Sequence, residues 1–128
     1  MRAEGDRIII IDDIPVVAYM IEDTLQDAGF KNTHTYNDPL LAVKEINDAF
    51  RPAVIITDYN MPEMTGMELL EKVEQRHHGI DAIIVTSEPG WAKSHPEKYP
   101  VLEKDANFVD RLVEYVTQIL KKQDAPDL

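Results

Sequence analysis

Residues 53–66 read A-V-I-I-T-D-Y-N-M-P-E-M-T-G. A short apolar run passes through a threonine to a carboxylate, Asp58, and then meets Met61-Pro62 and Gly66. A continuous apolar run of this length, bounded by turn residues, reads as a strand buried on both faces. Strands of that kind belong to parallel sheets covered by helices on both sides. The carboxylate at its end is either the start of a plain turn or a reactive group held at the rim of the sheet. The neighbouring segments bear on that choice.

Upstream, Ile8–Ile11 is a second such run, ending in Asp12-Asp13. Pro15 suits the first turn of a helix. Its apolar positions Val17, Met20, Ile21, Thr24, Leu25 and Ala28 recur at helical spacing until Gly29 stops it. Residues 31–36, rich in Thr and aromatics, read as a strand nearer an edge. Asp38-Pro39 is a cap followed by a first helical proline, and Leu40, Leu41, Val43, Ile46 and Ala49 carry that helix to about residue 50. Residues 54–57 form the third strand. Met67, Leu70, Val73 and Glu74 lie in a third helix ending near His77-His78-Gly79. Residues 82–85 form the fourth strand, which ends at Thr86. Val101–Glu103 forms a short fifth strand. Asn107 then caps a last helix with the apolar face Phe108, Leu112, Tyr115, Val116, Ile119 and Leu120, and Lys121 and Lys122 suit its C-terminal dipole. There is no internal repeat. The order β-α-β-α-β-α-β-loop-β-α, with right-handed crossovers, predicts a doubly wound α/β sheet.

The bulk properties narrow the function. The chain has 128 residues, 44% hydrophobic and 29% charged, which suits one packed domain rather than disorder. A net charge of −11 argues against direct nucleic-acid binding, which needs a basic face, and against an anionic membrane surface. There are no cysteines, so disulfides, thiol nucleophiles and Cys-zinc sites are excluded. No signal-like segment is visible. No run approaches the ~20 apolar residues of a membrane span, so no membrane insertion and a cytoplasmic location are expected.

Doubly wound sheets bind ligands at the carboxyl ends of their strands. There the sequence places Asp12-Asp13, Asp58, Thr86-Ser87 and Lys104. Three clustered carboxylates repel one another and raise each other's pKa. Oxygen ligands without His or Cys suit a hard divalent ion, and Mg²⁺ is favoured where a phosphate shares its shell. A carboxylate can act as a nucleophile to give an aspartyl phosphate. A hydroxyl and an ammonium can donate to phosphoryl oxygens.

The set I-I-D-D, T-D-Y-N-M-P-E-M-T-G, I-V-T-S and L-E-K resembles the receiver domain of bacterial two-component response regulators over nearly the whole chain, and is closest in form to the stand-alone chemotaxis type. The resemblance implies a flavodoxin-like sheet in the order 2-1-3-4-5 and a single receiver domain over residues 1–128, with 123–128 as a tail. It implies phosphorylation of Asp58 by a sensor histidine kinase or phosphotransfer protein, with Mg²⁺ bound, and signalling to an output protein. The only chemistry implied is self-phosphorylation and autodephosphorylation, not enzymatic turnover. Asp13, Asp58 and the backbone carbonyl of Asn60 match direct Mg²⁺ ligands, and Asp12 matches the residue that reaches the ion through water. Thr86 matches the switch hydroxyl, Lys104 the lysine that pairs with the acceptor, and Ser87 the small residue beside the phosphoryl group. Asn60 and Glu88 border the path of an attacking water. Pro62 and Gly66 shape the loop, the glycine permitting φ > 0. Two departures stand out. Val101 occupies the place of the usual switch aromatic, which Tyr99 cannot fill without a register shift. Asp105 follows Lys104 in place of a proline. Residues 87–100 hold Pro89, Pro96 and Pro100, so the fourth helix of the family is expected to be shortened or missing.

Each position has a plainer reading on its own. Asp12-Asp13 suits a helix N-cap region, Asp58 a turn, and Lys104 a solvated surface. His77-His78 reads as a polar helix end, Met61, Met64 and Met67 as packing, and Trp91 equally as loop packing or a partner anchor. Two rival functions remain beside the receiver reading. A haloacid-dehalogenase-like phosphatase wants a second acid two residues after its nucleophile, where this chain has Asn60. A receiver-like module acting without phosphorylation would be marked by loss of an acidic position or the lysine, all of which are present.

Overall fold

The computed structural model describes residues 6–49, 51–88 and 98–124. The apolar runs form β1 (Ile8–Ile11), β3 (Val54–Asp58) and β4 (Ala82–Thr86), in which every residue is buried. Polar, half-exposed β2 (Thr33–Tyr36) and short β5 (Val101–Glu103) form the two edges. The helices are α1 (Pro15–Asp27), α2 (Pro39–Asn47), α3 (Gly66–Glu74) and α4 (Phe108–Asp124). The sheet is parallel in the order β2-β1-β3-β4-β5, a flavodoxin-like three-layer architecture.

Alternation along the strands divides the core into two. Ile8, Ile10, Val54, Ile56, Ile83 and Val85 pack against Ala18, Ile21 and Leu25 of α1 and Phe108, Leu112, Val116 and Leu120 of α4. Ile9, Ile11, Ile55, Ala82 and Ile84 pack against Ala42 and Ile46 of α2 and Leu69, Leu70 and Val73 of α3.

Helix starts follow local chemistry. Asp38 caps α2 by accepting from Leu40 N at 3.0 Å, with Pro39 next. At α3, Thr65 and Glu68 form a reciprocal capping box, a T-x-x-E signal present in the sequence but not read above. Ahead of α4, Asp105 Oδ1 accepts from the Asn107 N–H at 3.0 Å, a turn that leads into the helix at Phe108.

Several bounds differ from expectation. α2 ends at Asn47 rather than near residue 50, and α3 ends at Glu74. β3 runs one residue further and takes in Asp58 itself. α4 extends through Gln123 and Asp124, so these are helix rather than tail. Gln123 Nε2 holds that end by donating to Ala53 O (2.8 Å) and Asp81 Oδ2 (2.6 Å). The buried stripe of α1 is Ala18, Ile21 and Leu25, which leaves Met20 outside along with Ile14, Val16 and Tyr19. Leu40 and Leu41 of α2 are also exposed, because α2 packs through Pro39, Ala42 and Ile46. The expectations for a shortened fourth helix, and for Trp91, fall on residues 89–97, outside the described residues. Among the described residues no helix is long and apolar enough to cross a membrane.

Candidate functional site at the carboxyl edge

Register brings the charged residues together. Ile11 pairs with Thr57, so Asp12 and Asp58 each follow onto the next rung, on the side of Ile10 and Ile56. On the other flank Thr86 pairs with Glu103, and Lys104 N donates to Thr86 O at 2.8 Å. Lys104 shares the parity of Leu102 and therefore lies on the same side of the sheet. Its Nζ lies 2.9 Å from Asp12 Oδ2 and 3.1 Å from Asp58 Oδ1. One carboxylate oxygen from each of Asp12, Asp13 and Asp58 falls within 4.8 Å of the others.

The three acids are not equivalent. Both Asp12 oxygens are occupied: Oδ1 accepts from Ile14 N at 2.9 Å and Oδ2 from Lys104. The N-cap reading of Asp12-Asp13 is not met: the residue at that position is Ile14, which makes no side-chain cap bond, and what Asp12 accepts at this turn is the Ile14 N–H. Asp13 Oδ1 is buried and has no hydrogen-bond partner among the described residues. That orphan oxygen, set among other carboxylates, fits a hard divalent cation. Three carboxylates against one ammonium also leave two negative charges in excess. Each close carboxylate pair repels by on the order of 3 kcal/mol at an effective dielectric of about 20.

Electrostatics match this geometry. Asp58 is 7% exposed. Burial, then the Asp12 charge, push its carboxyl up from 3.8 to about 6, against the opposing pull of Lys104. Burial draws Lys104 down, but its bonds to Asp12 and Asp58 more than offset this, and its pKa lies above the ordinary value.

The polar rim is built from two loops. Thr86 is fully buried at the end of β4, and its Oγ1 accepts from Glu88 N at 3.0 Å. Ser87 follows it, exposed. Asn60 Nδ2 donates to Glu88 Oε1 at 2.7 Å, joining the loop after β3 to the loop after β4. Gly66 needs a reason other than the positive φ expected of it. Among the described residues the positive-φ glycines are Gly29 and Gly79. At Gly66 an added Cβ would lie 2.6 Å from the carbonyl oxygen of Asp58, so α3 begins directly against the end of β3.

Val101 sits opposite Ile84 on β4. Tyr99 is buried with the α2/α3 core, and its hydroxyl donates to Glu74 Oε2 at 2.8 Å. Burial and that carboxylate raise the phenol pKa well above its ordinary value. Tyr99 lies toward the foot of the sheet, so in this register it does not reach Thr86. Reasoning from sequence missed Asn37, whose Nδ2 donates to Asp12 O at 2.8 Å.

Residues 8–98 match the model of the response regulator receiver domain. The chain belongs to that family. Among relatives, the receiver is 30% identical over 89 residues to the chemotaxis protein CheY1 of Helicobacter pylori, covering 68% of this chain and 72% of that one. It is 33% identical over 84 residues to the chemotaxis protein CheY of Pseudomonas aeruginosa, covering 64% and 67%. Among solved structures, Vibrio cholerae CheY4 superposes with a TM-score of 0.72 at 28% identity, covering 88% of the receiver and 97% of CheY4. TrrA of Thermotoga maritima, solved in complex with Mg(2+)-BeF, superposes at 0.78 with 22% identity, covering 89% and 98%. Neither the phosphatase nor the phosphorylation-independent reading is favoured beside this family.

Proposed function

We propose that Asp58 is the phosphoacceptor of this receiver, that its donor is phosphohistidine on a sensor kinase or phosphotransfer protein in the cytoplasm, and that the phosphorylated form signals through an output protein. The observation that carries the reading is the pairing of Asp58 with Lys104 at 3.1 Å beside the orphan Asp13 oxygen. With a pKa of about 6, the Asp58 carboxyl is mostly ionised and nucleophilic at neutral pH. One of its oxygens bonds to phosphorus as the donor's P–N bond breaks, and the freed imidazole nitrogen takes up a proton. Lys104, already within reach of Asp58, donates to the phosphoryl oxygens. The Thr86 hydroxyl turns to donate to them, a charge-assisted bond. Ser87 is small enough to leave room beside them.

Asp13, Asp58 and the Asn60 carbonyl would hold Mg²⁺, with Asp12 reaching it through water. The bound ion supplies two positive charges that offset the excess acid and the incoming phosphoryl group. The test is intact-mass measurement after incubation with acetyl phosphate and Mg²⁺. Wild type gains one phosphoryl adduct and Asp58→Asn gains none. Trapped adduct mapping to Asp12 or Asp13 would reassign the acceptor.

A further inference from the structure

The acid pair lies just past the end of β1, where the sheet no longer dictates the backbone, yet Asp13 must be aimed with care. The Asp12 N–H still bonds to Tyr36 O at 3.0 Å, as in a parallel ladder with β2. In a continued ladder the Asp12 carbonyl would next accept from the N–H of residue 38. Here the chain turns instead, because Asp38 and Pro39 open α2. The Asn37 side chain fills the gap, its Nδ2 donating to that carbonyl at 2.8 Å. Asp12 is thus held from β2 on both sides: its N–H, in the preceding peptide, by a main-chain bond, and its carbonyl, in the Asp12–Asp13 peptide, by the Asn37 side chain. Fixing this peptide plane fixes the direction in which Asp13 leaves it.

We infer that Asn37 is a positioning residue for the divalent cation: its carboxamide locks the Asp12–Asp13 peptide so that the Asp13 carboxylate stays grouped with those of Asp12 and Asp58. This rests on the proposed cation site above. It adds a residue from the edge-strand loop, outside the ligand set, that governs affinity without touching the ion. Groups that orient metal ligands change affinity by about 10–100-fold when removed. Asn37 acts through a peptide, so about tenfold is expected.

The test is Mn²⁺ binding to the full chain followed by electron paramagnetic resonance, with Mg²⁺ as competitor. Asn37→Leu keeps the volume but lacks the donor. It should weaken both ions about tenfold while its amide exchange stays protected across β1 and β3. Asn37→His, which returns an N–H at similar reach, should recover most of the loss. The phosphorylation defect of Asn37→Leu should disappear at saturating Mg²⁺, whereas that of Lys104→Ala should persist. If Asn37→Leu lowers the unfolding midpoint but binds Mn²⁺ as wild type does, the residue is only structural and the inference is wrong. If wild type itself binds no Mn²⁺, or Asp13→Asn binds it equally well, the cation site is wrong and the inference falls with it.

Discussion

Asp58 holds its proton more tightly in the folded chain than in the unfolded one, and this has a sign that can be tested. Its carboxyl is raised from 3.8 to about 6, chiefly by burial and then by Asp12. Between these values the native state binds a proton that the unfolded chain has lost, so stability falls as pH rises from about 4 to about 6. A shift of two units sets a ceiling of about 3 kcal/mol, and relaxation around the site reduces it to about 1–2 kcal/mol. In EDTA, Asp58→Asn should therefore raise the unfolding free energy by about 1–2 kcal/mol at pH 7.5 and by little at pH 4, as read by urea denaturation. Saturating Mg²⁺ should narrow that gap by stabilising wild type alone. The rim has its own consequence. Glu88 sits at the mouth of the site, tied to Asn60 at 2.7 Å, where it can orient an attacking water. Phospho-Asp58 should decay well within an hour, and Glu88→Ala should lengthen its life several-fold, as measured by the mass-resolved adduct over time.

At the scale of elements, α3 is set by contact as well as by its own capping box. Its first residue approaches β3 so closely that a methyl group on Gly66 would meet Asp58 O at 2.6 Å and Thr57 Cγ2 at 3.2 Å. Gly66→Ala should cost about 1–3 kcal/mol and slow phosphorylation, because the backbone carrying Asp58 must give way. Glu71→Ala, exposed on the same helix, should do neither, and denaturation beside phosphorylation kinetics separates the two. This contact shows what the sequence can carry. The buried strands were legible because burial on both faces leaves unbroken apolar runs, as at Ile8–Ile11. The start of α2 was legible because Asp38-Pro39 acts locally. The inward stripe of α1 was legible only in part: Ile21 and Leu25 are buried and Val17 packs against the core, but Met20 is exposed and the small Ala18 buried, because exposed Val16 and Met20 are as apolar as the residues that face inward. The site's identities followed from the strand-end rule and the family resemblance. The role of Asn37 and the reason for Gly66 did not, because both depend on which loop lies against which strand.

Across the whole molecule, the end of α4 is fastened to the foot of the sheet. Gln123 bridges the start of β3, through Ala53 O, and the residue before β4, Asp81. Losing two partly buried bonds costs about 1–2 kcal/mol, so Gln123→Ala should lower the unfolding midpoint. The Mg²⁺ affinity of the folded protein should stay unchanged, since the site lies at the opposite edge of the sheet; paired thermal melts and metal titrations check both. The ion pair between Asp12 and Lys104 joins positions 92 residues apart in the chain. A nascent chain grows at ~5–20 residues per second, so Asp12, Asp13 and Asp58 emerge seconds before the lysine that completes their site. During that interval the acids have no ammonium to oppose them and β5 has not yet formed an edge. With Asp58 as acceptor and Lys104 as its partner, phosphoryl acceptance would await β5: the receiver would become competent to take a signal only after the fifth strand of its sheet has been made and folded.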